Sequence, residues 1–150
     1  MFKQGIMANG LRAGIYCVVL ALLATALLQQ QKIALDHILY IGGFGLIAII
    51  VATRVIFGHS GQRSQFNQWL KPMVAVVALL LLAMATRVSA DFLPNVRNSH
   101  HVYAAICWVA VCIIWGIAIL PSVRKTPPKK QRKPKVDKDV INLMEMNFRK

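Results

Sequence analysis

The sequence predicts an all-α integral membrane protein, with four antiparallel transmembrane helices in an up-down bundle, and three observations lead there. The chain is 57% hydrophobic over 150 residues, against about 45–50% in an ordinary soluble domain. It holds four long apolar runs, Leu11 to Leu28, Ile38 to Phe57, Met73 to Ala90 and Val102 to Leu120, none with an internal proline. The segments between them are short and carry the polar and helix-breaking residues. A hydrocarbon core of about 30 Å takes about 20 residues at about 1.5 Å each, close to what each run supplies. Apolar runs of this length without period-two alternation can satisfy their backbone N–H and C=O groups in lipid only as helices.

The first run has no small-residue cleavage site and is followed by further spans, so it reads as an uncleaved signal anchor that stays as a helix. The separators follow in order. Gln29 to Asp36 is polar, Gly58 to Pro72 holds two glycines and a proline, and Asp91 to Ser99 holds Pro94 among candidate cap residues. Connections this short make neighbouring helices antiparallel. Cys17, Cys107 and Cys112 lie inside apolar runs without a paired framework and read as small packing residues.

The net charge of +13 belongs to a tail, because ten of the 18 Lys and Arg residues follow Pro121. We therefore divide the chain into a transmembrane domain, 1–122, and a cytoplasmic basic tail, 123–150. Val123 to Lys138, with Pro127, Pro128 and Pro134 among its lysines, is too charged to build a core and is expected to be disordered. Attraction of such a stretch to anionic headgroups, about 1 kcal/mol per charge, accounts for its basicity without nucleic acid. Beyond it, Asp139 is placed to cap a short helix from Val140 to Phe148. Lys3, Arg12, Arg54, Arg63, Lys71 and the tail charges fall on one side of the bundle, against Lys32, Arg87 and Arg97 on the other. The positive-inside rule then places both termini in the cytoplasm, in a bacterial inner membrane.

Polar residues in or beside the spans are costly, about 2.5–3.5 kcal/mol for a central arginine on insertion scales, so they mark candidate sites. On the expected outer side Asp36 and His37 open the second span, Arg87 lies near the end of the third, and His100 and His101 open the fourth. On the inner side Arg54 nears the end of the second span and His59 follows in the turn Gly58-His59-Ser60-Gly61. His37 and His59 are 22 positions apart. On a helix that is about 33 Å, so they cannot share one metal. Neutral imidazole suits haem iron and copper, and two histidine sites on opposite faces permit two centres.

Each of these residues also has a structural reading. The outer histidines can meet headgroups and water, and Arg54 and Arg87 can snorkel to the interface. Alternatively the arginines face the bundle, to pair with Asp36, Asp91, a haem propionate or another anion. His100 and His101 point about 100° apart, so only one faces a given centre, and His101 lies deeper. Gly42, Gly43 and Gly45 leave the second span open to close approach by a neighbouring helix or a flat cofactor. Trp108 and Trp115 share a face of the fourth span as core, lipid-facing or cofactor-wall residues.

The run Ala52-Thr53-Arg54-Val55-Ile56-Phe57-Gly58-His59-Ser60-Gly61-Gln62 resembles the T-R-V-x-x-G-H-T-G-R segment of the NnrS family. Upstream, His37-Ile38-Leu39-Tyr40-Ile41-Gly42-Gly43-Phe44-Gly45 is similar to that family's H-x-L-x-x-G-G-x-G helix start. Downstream, Ala85-Thr86-Arg87-Val88 resembles its L-L-R-V segment, and Trp108 falls where its last helix has a tryptophan. Ser60 stands for the usual threonine, Gln62 for a frequent arginine, and the tail after Pro121 departs from the family's ending. The likeness covers Leu11 to Pro121, which looks like the last four helices of longer members. The chain is accordingly expected to be a truncated product, one piece of a split protein, or a small relative that oligomerises.

The resemblance implies a polytopic bacterial inner-membrane protein linked with denitrification and resistance to nitric oxide. It implies haem as cofactor and admits copper. It makes His37, His59 and His101 the candidate metal ligands, with His37, Arg87 and Arg54 as candidate cofactor contacts. Whether the protein is an enzyme, and by what reaction, is left open. The competing expectation is a non-catalytic membrane subunit whose small-residue ridge, Cys17, Ala21 and Thr25, docks on a larger partner.

Overall fold

A computed structural model of the protein describes residues 5–124; the expected tail from residue 125 on, with its short helix, lies outside them. The four apolar runs form four helices, α1 (Ile6–Leu27), α2 (Gln29–His59), α3 (Lys71–Phe92) and α4 (Pro94–Arg124), each long and apolar enough to cross a membrane. No strand occurs among the described residues. The helices run up and down as an antiparallel bundle. Ile6 and Arg124 lie at one end, here the terminal end, and the connections Leu28 and Leu93 lie at the far end.

Two helices depart from the plain spans that hydropathy predicts. In α2 a short 3₁₀ turn and the α-helical turn Lys32–His37 lead into a π-helical segment, Ile38–Gly45, before regular α-helix resumes at Leu46. Three glycines in this stretch weaken the ordinary register, and helices on two sides press onto it. In α4 the α-helix ends at Ile119, and a 3₁₀ turn, Leu120–Arg124, carries the chain past Pro121 and buries Ser122. Proline lacks the N–H that a longer helix would need.

The motif around His59 ends α2. Gln62 N–H donates to Phe57 O at 2.8 Å and Gly61 N–H to Gly58 O at 3.4 Å, with Gly61 at φ 73°. This is a Schellman cap, and its left-handed position needs glycine. A 3₁₀ turn, Arg63–Asn67, then leads to α3, with Pro72 in the first turn, where its missing N–H costs nothing.

The core is uneven along the membrane normal. Met7, Phe57, Met73, Val76 and Ile119 fill the terminal half, and Leu46, Ile50, Leu80 and Val111 the middle. In the far half the buried residues are mostly small, Ala21, Ala34, Ala90 and Ala104. Against α2, α1 packs glycine to backbone: a Cβ at Gly14 would lie 2.7 Å from Ile47 Cγ1 and 3.4 Å from Gly43 O. A Cβ at Gly43 would lie 2.6 Å from Val18 Cγ2. The glycines at 42 and 43 therefore admit a neighbouring helix, not a cofactor; a Cβ at Gly45 alone would face Trp108, at 3.5 Å. The fourth helix packs along α3 and meets α2 mainly through its last turns. Outward-facing Tyr16, Leu23, Leu27, Ile106 and Ile117 are exposed, as the lipid-facing surface of a membrane bundle requires.

Candidate functional site

Because α4 stands off α2 in the far half, an open groove of about 340 Å³ runs between them, with His37, Ile41, Arg87, His101, Ala104 and Trp108 along it. His37 closes the α-helical turn just before the π segment, and its Nδ1 lies 2.7 Å from Ile33 O. From α3, Arg87 Nε donates to His37 Nε2 at 2.9 Å. A guanidinium has no acceptor, so Nε2 must carry the lone pair and Nδ1 the proton. His37 is thus a neutral imidazole in a fixed tautomer, with its N–H donated to a backbone carbonyl.

One turn beyond Arg87, Asp91 Oδ2 lies 3.8 Å from His37 Nδ1, too far for a hydrogen bond. Its Oδ1 lies 3.6 Å from Arg97 Nη2. Oδ2 itself is buried without a hydrogen-bond partner. Of the partners left open for Arg87, neither Asp36 nor Asp91 is the one it takes: Arg87 bonds His37, and Arg97 lies against Asp91. The histidine pair diverges as the helix requires, with His100 Nδ1 2.8 Å from Ser89 Oγ and His101 on the groove.

At the terminal end the structure brings together different residues. His59 is the last residue of α2 and exposed. The guanidinium of Arg54 stacks over the Phe66 ring, 5.5 Å from its centre, a cation–π contact beside the interface. Neither residue approaches the His37 groove. Fully buried Thr53, marked in the sequence only as a position of the family motif, is the polar centre of this half: its hydroxyl donates to Ile49 O at 2.7 Å and accepts from Trp115 Nε1 at 2.8 Å. Trp115 is therefore a clasp between α4 and α2, whereas Trp108 lines the groove. The spacing Gly10-x-x-x-Gly14 on α1 was the overlooked signal for the glycine contact.

The groove's donor set fits one end of a metal centre. An imidazole that ligates a metal nearly always donates its other N–H to a carbonyl or carboxylate, which fixes the tautomer. His37 meets that condition through Ile33 O, with Nε2 as the nitrogen able to ligate and His101 on the same groove. Among the described residues, no three His, Cys, Asp or Glu side chains gather into a ready-made metal site. A metal held here would arrive with ligands of its own, as haem does.

Four apolar helices around a polar site of imidazole and guanidinium at one end define a multi-pass membrane protein with an open groove between helices. The family described as NnrS protein matches residues 6–126. The chain belongs to the NnrS family, as the motif from Ala52 to Gln62 implies. No curated protein and no solved structure matches it.

Proposed function

We propose that this NnrS-family protein binds haem in the groove between α2 and α4, with His37 as an axial ligand, and serves the bacterial response to nitric oxide or denitrification. The observation that carries the reading is the fixed tautomer of His37. Its proton is held on Ile33 O, its Nε2 lone pair is directed to the partner side, and a guanidinium lies 2.9 Å from that nitrogen. Arginine is a favoured partner for a carboxylate such as a haem propionate. His101 stands as the second candidate ligand on the groove, and Trp108 as an apolar wall. Haem would supply an iron centre able to bind or turn over the radical. His37 would hold and orient the macrocycle, and Arg87 would neutralise its acid groups. Copper, if bound, belongs to a second site such as His59, at the opposite end of α2.

The test is the visible spectrum of the detergent-purified protein, with His37→Ala and His59→Ala measured separately. A Soret band in the parent, lost in His37→Ala and kept in His59→Ala, is the expected pattern. The reverse pattern moves the iron to the terminal end. A colourless parent without metal favours the non-catalytic subunit instead.

A further inference from the structure

The bond that completes the His37–Arg87 pair also blocks it. Nδ1 is committed to Ile33 O, so Nε2 holds the one lone pair His37 can offer a metal, and Arg87 Nε–H already occupies it. A metal ion and an N–H cannot share a single lone pair. We infer that Arg87 is a latch on the ligating nitrogen of His37, opened by an acidic group on the incoming ligand, so that the groove selects metal macrocycles that carry carboxylates. The inference rests on the haem reading above.

Three observations carry it. First, Arg87 has no carboxylate partner among the described residues, since the nearby Asp91 lies against Arg97 and its free oxygen faces His37 Nδ1. A guanidinium satisfied only by a neutral imidazole gains by moving to an anion, because charge-assisted hydrogen bonds are roughly twice as strong as neutral ones. Second, His37 and Arg87 line the same groove, so one ligand can reach both. Third, small Ala104 and Ala105 line that groove with them, which leaves the guanidinium room to swing. A carboxylate therefore draws Arg87 away at the moment Nε2 is needed. A macrocycle without acid groups has to break the Arg87–His37 bond and leave the guanidinium unpaired. Discrimination of this kind works against the wrong ligand as much as for the right one.

The experiment titrates the full chain in detergent with haem and with haem dimethyl ester, which keeps the iron and loses both acid groups, and follows the Soret band. The parent should bind haem about tenfold or more tighter than the ester. In Arg87→Met, which removes the donor and keeps the length, ester binding should improve about tenfold and the preference should vanish. Ligand-free protein gives a second readout. In Arg87→Met the ¹⁵N resonance of His37 Nε2 should move to the position of an imidazole nitrogen without a donor, while Nδ1 stays protonated. Equal binding of haem and ester by the parent, or an unmoved Nε2 resonance in Arg87→Met, overturns the latch while leaving the haem reading intact. No Soret band with either porphyrin, in parent and variant alike, overturns the haem reading and with it the latch's ligand. The comparison of haem with ester in the parent needs no variant to fold.

Discussion

A hydroxyl carries one proton, and at Thr53 that proton goes to Ile49 O while the oxygen accepts from Trp115. Both partners are needed, because in lipid an indole N–H left alone has no water to turn to. Interhelical hydrogen bonds in membranes are worth about 0.6 kcal/mol on average, up to about 1.7. Thr53→Val should therefore lower the thermal midpoint in detergent by a few degrees and shift the tryptophan emission, with haem content per chain unchanged. Loss of haem in that variant would mean that the clasp also shapes the far groove. At this scale the sequence was legible where a residue is expensive: His37, Arg87 and His101 stood out because lipid penalises them. Their partners were not legible. Choosing between Asp91 and His37 for Arg87 depends on where Arg97 reaches, which no spacing along one helix reveals. The role of Thr53 was not legible beyond its place in the motif, because a threonine in a helix can bond its own backbone and pass for apolar.

The helices were legible in number and direction, because lipid thickness fixes their length and short connections fix their direction. Their starts were not: α2 and α4 begin at Gln29 and Pro94, more than two turns before Ile38 and Val102, so the polar stretch Gln29 to Asp36 is helical and not a separator. What the sequence withheld was the π segment of α2. It depends on glycines that are ordinary in membrane helices and on pressure from two neighbours, and only the second is tertiary. Gly43 is a close point of that contact, where a Cβ would lie 2.6 Å from Val18 Cγ2 of α1. Gly43→Leu should push α1 off α2 and reduce the yield of folded protein severalfold, measured as the monodisperse fraction after extraction. Gly58→Ala should be nearly silent by the same assay, since its nearest neighbour, Phe66 Cζ, would lie 4.0 Å from a new Cβ. Comparable losses in both would mean that close approach does not explain the effect at Gly43, since Leu and Ala both favour helix over glycine.

For the whole molecule the charge bias gives the strongest expectation. Arg12, Arg54, Arg63 and Lys71 of the bundle's terminal end, with Lys3 ahead of them in the sequence and the ten basic residues that follow Pro121, stand against Lys32, Arg87 and Arg97 at the far end, and the rule of positive charge inside sends the far end outward. A reporter fused at Asn95 should be active only outside the cytoplasm, and one fused at Lys150 only inside. Activity outside at Lys150 would invert the bundle and put the groove on the cytoplasmic face.

The unequal filling of the bundle carries a mechanical meaning. Large side chains bind the terminal half into one solid block, while at the far end α4 stands off α2 across the open groove and is held to the bundle along α3. A body clamped at one end and open along one side at the other has the shape of tweezers, with a grip that stays shut. The facing tips are where His37 and His101 sit. Lipid squeezing from the side would then set how widely they stand apart, so that the bilayer itself becomes one arm of the instrument.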